Sequence, residues 1–267
     1  MRRLILTFAL CLVASRGFAI GTVIQADLGG NASAGNCITG ATATGHYTST
    51  TVSGSTLMLV IFGKAAVTNA DPINYTISTS GVTWVTNAGA LPTSLYDPGH
   101  SETHGMDILW AINASSVNSS TNTSVTAKVN TVSCSSVTVE FVLLEVSGIL
   151  AAAPQTNVAA GCENDQETPS APGTTCDLSG AFSGKTGFVI GAFVGEGSTN
   201  LLAGTGYTLG PNATAAVVGQ LQYAGGQSNI PVINFTGGTN PYWTCSLAWF
   251  YDGAASSSVP RHRGSVF

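Results

Sequence analysis

The stretch TLMLVIF, residues 56–62, has no polar side chain after its first residue, and GFVIGAFVG, residues 187–195, repeats that character in the second half of the chain. A strand with one wet face alternates apolar and polar residues, whereas a strand covered on both faces is apolar throughout. Both stretches are short and bounded by Gly and Ser, which favours buried strands over helices. They are therefore expected to be central strands covered on each side, as in a two-layer sandwich with extra loop cover.

Working outward, strand patterns recur at NYTIST (74–79), MDILWAIN (106–113), SVTAKVN (124–130), SVTVEFVLLEVSG (136–148), AAVVGQLQYAG (215–225), PVINFTG (231–237) and YWTCSLAWFYDG (242–253). Each is bounded by Gly, Pro, Asn or Ser. Long runs with helical spacing of apolar residues are missing. Period two puts Met106, Ile108, Trp110 and Ile112 on one face, with Asp107 and Asn113 on the other. It likewise puts Trp243, Cys245, Leu247 and Trp249 on a shared face. The expected fold is all-β, a single jelly-roll-like antiparallel β-sandwich over residues 20–253. Leu59, Ile61, Trp110, Phe141, Leu143, Phe188, Ile190 and Trp249 are its expected core.

The two halves echo each other. TLMLVIFG, GVTWV and DILWAINA in the first correspond to GFVIGAFVG, GYTLG and SLAWFYDG in the second. The long Ala/Pro/Thr-rich segment from Gly148 to Gly180 reads as a crossover between two pseudo-similar halves of one domain. The order TLMLVIF, GVTW, DILWAINA, VTVEFVLLEVSGI, GFVIGAFVGEG, YTLG, SLAWF resembles secreted or phage-associated bacterial β-sandwich proteins. The Glu-x-Ser-Gly turn at Glu145 to Gly148 is the most distinctive part of that likeness. The resemblance covers most of the chain and implies a jelly-roll-like sandwich, with no established activity to carry over.

At the N-terminus, Arg2 and Arg3 precede an apolar run from Leu4 to Ala14 and the small residues Gly17 and Ala19, the pattern of a secretory signal peptide over residues 1–19. Residues 254–267 read as a flexible tail. The expected location is secreted, either extracellular or at the cell surface, and no stretch is long and apolar enough for a transmembrane helix. Of 8 basic residues three lie in the leader, so the mature balance is 5 − 13 = −8. That charge repels phosphate backbones and argues against a nucleic-acid partner. Only 8% of residues are charged, so solubility rests on Ser, Thr, Asn and Gly.

Outside the leader stand Cys37, Cys134, Cys162, Cys176 and Cys245. Cys162 and Cys176 bracket a segment without apolar anchors and are the first choice for a disulfide, worth about 3 kcal/mol in the chain-entropy model. At most one further pair can form among Cys37, Cys134 and Cys245, and pairing of Cys162 with Cys37 or Cys245 stays open.

The passage SLYDPGHSETHGMDILW (94–110) gathers Asp97, His100, Glu102, His104 and Asp107. Two readings compete: a polar loop leading into a strand at Met106, or a zinc site using His100 and His104 with Asp97. Pro98, Gly99 and Gly105 preclude the helix that a His-x3-His metal motif needs. Glu163, Asp165, Glu167 and Asp177 could offer oxygen ligands to calcium, although the ligand order of a calcium loop is missing. Glu140 and Glu145, five apart on one strand, project to opposite faces and cannot form a glycosidase pair. Glu145 shares its face with Val139, Phe141 and Leu143 and reads as a partly buried carboxylate with a structural role, its oxygens accepting from turn amides before Gly148.

No nucleophile elbow, phosphate loop or Cys-x-x-Cys is present. Trp84, Tyr96, Tyr47 and Tyr242 are the aromatics placed to offer platforms to a glycan. Seven Asn-x-Ser/Thr sequons occur, at Asn31, Asn74, Asn113, Asn118, Asn122, Asn212 and Asn234. The expected function is a non-enzymatic surface, matrix or adhesion module binding glycan or protein partners, with no cofactor. The alternatives are a hydrolase or metal-dependent enzyme using the 97–107 loop and a self-assembling structural subunit that pairs by strand edges.

Overall fold

The structure is a computed structural model that describes residues 21–85, 93–97, 100–149, 157–164, 174–177, 186–195, 205–211, 218–228, 232–235 and 243–251. The expected leader and tail lie outside these residues. The first half holds β1 (Thr22–Ala34), β2 (Ala41–Gly45), β3 (Thr56–Ala66), β4 (Asn74–Thr79), β5 (Thr93–Asp97), β6 (Glu102–Ala111), β7 (Thr123–Lys128) and β8 (Ser136–Ser147). The second holds β9 (Asn157–Asn164), β10 (Thr174–Asp177), β11 (Thr186–Gly195), β12 (Thr208–Leu209), β13 (Gly219–Ser228), β14 (Val232–Phe235) and β15 (Trp243–Tyr251). The described residues contain no helix, and every pairing is antiparallel. The protein is an all-β antiparallel sandwich.

Three sheets stack where two were expected. A five-stranded sheet in the order β1-β8-β3-β6-β5 lies in the middle. On one side Leu57, Leu59, Ile61, Leu109, Phe141 and Leu143 pack with Ala43, Val125 and Ala127 of the three-stranded sheet β2-β7-β4. On the other, Met58, Val60, Phe62, Ile108, Trp110 and Val142 pack with Phe188, Ile190, Ala248 and Phe250 of a second five-stranded sheet, β12-β13-β11-β15-β9. TLMLVIF is apolar on both faces because both are buried against sheets. The three-stranded sheet, built from the strictly alternating ATATG, NYTIST and TSVTAK, takes the place assigned to loop cover. One wet face and one dry face suit an outer layer.

The internal echo has a structural counterpart. β3 and β11, the fully apolar strands, are each third in their five-stranded sheet, and each pairs with a Trp-bearing fourth strand, β6 or β15. Trp110 of β6 meets Phe250 of β15 edge to face, with ring centroids 5.6 Å apart. That contact ties the two sheets. The third segment of the echo diverges: Val85 of GVTWV bridges Trp110, whereas Thr208 and Leu209 of GYTLG pair with β13. All eight expected core residues are buried.

Two carboxylates on β8 follow the alternation expected of them. Glu145 is fully buried and accepts from the Val52 N–H at 2.6 Å and the Gln25 side-chain amide at 2.6 Å. It therefore pins the loop ahead of β3, which is a structural role, through partners distant in sequence. Glu140 leaves by the opposite face and accepts from the Val218 N–H of the second sheet at 3.0 Å.

Cys37 and Cys134 form a disulfide, with Cα atoms 5.9 Å apart and a sequence separation of 97. It is the one further pair allowed among Cys37, Cys134 and Cys245.

Candidate functional site

The passage 94–110 is a hairpin rather than a loop before a strand at Met106. β5 and β6 pair from Thr93↔Met106 to Asp97↔Glu102, so β6 begins four residues earlier than expected. Beyond β5 and before β6, Ser101 takes the left-handed region at φ 54°. Turn residues read as loop in sequence, and the polar strand ends beside them were absorbed into that reading.

Pleating separates the candidate ligands. Glu102 and His104 share the face of Met106, toward the second five-stranded sheet, while Asp107 lies on the opposite face with Leu109. His100 is exposed in the turn and His104 is buried. Asp97 stands opposite Glu102 in the ladder. Among the described residues no three His, Cys, Asp or Glu side chains gather as metal ligands. Of the calcium candidates, Glu163 lies on β9 and Asp177 on β10, in different sheets. Asp165 and Glu167 lie outside the described residues.

What does assemble on the Met106 face is Lys64, Glu102 and His104. Lys64 is the cross-strand partner of His104. Its ammonium sits 2.7 Å from the Glu102 carboxylate, and His104 Nε2 lies 3.6 Å from the same oxygen. Burial works to raise the Glu102 carboxyl, but the neighbouring His104 and Lys64 outweigh it and hold it down at about 2. A carboxylate so committed is a poor proton donor near neutral pH. Lys64 was missed in sequence because it closes an apolar strand, far from the acidic passage.

On the other face Asp107 is buried and burial pushes its carboxyl up to about 6, against a backbone hydrogen bond from Ile108 that lowers it. Tyr75 of β4 faces it from the three-stranded sheet. Burial first, and the Asp107 charge second, raise the Tyr75 hydroxyl well above its usual range. Gly63, paired with Gly105, makes room there: a Cβ at residue 63 would collide with the Tyr75 hydroxyl.

The aromatic candidates also separate. Tyr47 is fully buried and donates its hydroxyl to the Leu144 carbonyl at 3.3 Å, so it offers no platform. Its loop position suggested exposure, but the loop folds over the central sheet. Tyr96 is half-buried and its hydroxyl binds the Thr68 carbonyl at 2.9 Å. Tyr242 lies outside the described residues.

Trp84 differs from all three. It is half-buried and lines an open groove of about 410 Å3 with Ile77, Ser78, Thr79, Ser80, Val82 and Leu109. Gly81, at φ 78°, takes the left-handed position in the turn that follows β4. Val85 then exchanges two backbone hydrogen bonds with Trp110, at 2.8 and 3.2 Å. Between these anchors the indole N–H donates to the Thr79 hydroxyl at 3.0 Å, which in turn donates to Thr123 at 2.9 Å. The ring is held at the rim of the β2-β7-β4 layer. The hydroxyls of Ser78 and Ser80 were not singled out in sequence, where they read as ordinary strand and turn residues.

Comparison with family models, with curated proteins and with solved structures gives no match to this chain. Among the described residues no helix is long and apolar enough to cross a membrane.

Proposed function

We propose that the protein is an exported, non-enzymatic surface or matrix module that binds glycan, and that the Trp84 groove is its binding site. The observation that carries this reading is a half-exposed indole, fixed by its N–H bond to the Thr79 hydroxyl, in an open concavity that Ser78 and Ser80 also line. A sugar ring offers a C–H face that stacks on an aromatic and hydroxyls that trade hydrogen bonds with Ser and Thr. A pre-oriented ring loses little rotamer freedom on binding.

The carboxylates support a non-catalytic reading. Glu102 is engaged by Lys64 and His104, Glu140 by the Val218 amide and Glu145 by Val52 and Gln25. Each holds structure together. The low-charge, hydroxyl-rich composition suits a polysaccharide surface better than a charged polymer. Kinship with secreted or phage-associated bacterial β-sandwich proteins would then be one of architecture and of location outside the cell.

A glycan array on the full chain, followed by calorimetric titration of the best hit, tests the site. Saturable binding should weaken roughly tenfold or more in Trp84→Ala and be largely kept in Trp84→Phe. Melting curves of both variants separate lost binding from lost folding. No saturable glycan, or unchanged affinity in a folded Trp84→Ala protein, overturns the reading. Turnover in a hydrolase panel that disappears in His104→Ala would instead favour an enzyme.

A further inference from the structure

We propose that Cys162 and Cys245 form a second disulfide, a covalent staple between β9 and β15, and that Cys176 is the unpaired thiol of the C-terminal half. The inference rests on register. β9 is the edge strand of the second five-stranded sheet, and its antiparallel ladder with β15 sets Cys162 directly opposite Cys245. Directly opposed residues of an antiparallel pair share a face. Their Cα atoms lie about 4.5 to 5.5 Å apart, inside the roughly 4.4–6.8 Å window of disulfides. The ladder thus supplies the separation a disulfide needs.

Cys176 is the competitor, since sequence spacing alone favours its pairing with Cys162. β10 approaches both β9 and β15 in space. Its own partner, however, is β14 in a separate two-stranded sheet, where Cys176 stands opposite Ile233. Joining Cys162 to Cys176 would require a link between sheets, whereas joining it to Cys245 requires only the existing ladder.

The staple has a physical purpose. Among the described residues β9 pairs with β15 alone, and a register shift interrupts their pairing between Cys245 and Leu247. An edge strand interrupted in this way frays and offers its free side to other chains. A covalent link beside the irregularity holds the register on both sides of it. The chain already carries one disulfide, Cys37–Cys134, so its folding is compatible with oxidation. The step is thiol–disulfide exchange: the Cys162 and Cys245 thiols give up two protons and two electrons to a small-molecule or protein disulfide, which leaves as two thiols.

Non-reducing peptide mapping of the full chain, expressed into an oxidising compartment and alkylated while denatured, tests the pairing. The expected map has peptides linking Cys37 to Cys134 and Cys162 to Cys245, with alkylated Cys176. The Cys176→Ser variant should give the same two links. A peptide joining Cys162 to Cys176 overturns the proposal, as does alkylation of both Cys162 and Cys245. Should Cys245→Ser fail to fold, the Cys176→Ser map still decides, because loss of the Cys162–Cys245 link there also overturns it.

Discussion

The Glu140 carboxylate, carried by the central sheet, accepts a hydrogen bond at 3.0 Å from the backbone N–H of Val218, which belongs to the segment entering β13 of the next sheet. Both residues are buried. A buried carboxyl group is tolerated only when its polar atoms are satisfied, and this bond joins the two five-stranded sheets. Glu140→Leu should leave the Val218 N–H without its acceptor and cost about 1–3 kcal/mol. Glu140→Gln keeps an acceptor and should cost less. Urea unfolding of the two variants ranks them, and equal losses would remove the hydrogen bond as the cause.

Asp107 predicts an acid-side stability maximum. Its folded pKa of about 6 lies above the ordinary 3.8, because burial disfavours the charged form. A carboxyl raised on folding stabilises below its unfolded pKa, and that contribution disappears as pH rises through the folded value. Stability should therefore fall between about pH 4 and pH 6, by at most about 3 kcal/mol for this group. Glu102, held at about 2 by His104 and Lys64 against burial, acts in the opposite sense and loses its contribution as pH falls below 4.5. Asp107→Asn should flatten the decline between pH 4 and 6 in thermal melts. An unchanged slope would refute the assignment.

Gly63→Ala tests how closely the three-stranded sheet approaches the central one. The added methyl meets the Tyr75 hydroxyl, and overpacking of this kind costs about 1–3 kcal/mol. Tyr75→Phe removes the obstructing oxygen. The double variant should be more stable than the sum of the two single losses indicates, and simple additivity in a double-mutant cycle would show that the two positions do not touch.

Opening the Cys37–Cys134 disulfide releases a loop of nearly a hundred residues. In the chain-entropy model a closure of that size stabilises by about 4–5 kcal/mol. The Cys37→Ser, Cys134→Ser double variant should show a correspondingly lower urea midpoint with the same all-β circular dichroism. A midpoint unchanged from the parent would deny the bridge a role in stability.

Local pattern in the sequence determined most of the strands, their buried faces and the core. Fully apolar TLMLVIF had to be covered twice, and Glu140 and Glu145 had to diverge, because side-chain alternation is a property of the strand itself. The β5–β6 hairpin was hidden by its polar ends, which local composition cannot distinguish from loop. Tertiary structure alone decided what covers each face: the modest ATATG, NYTIST and TSVTAK strands form a third layer. It also brought Lys64 to Glu102, Cys37 to Cys134, and Cys162 into register with Cys245. These are pairings between residues distant in the chain. Strand order and register select them, and no short window of sequence contains both partners.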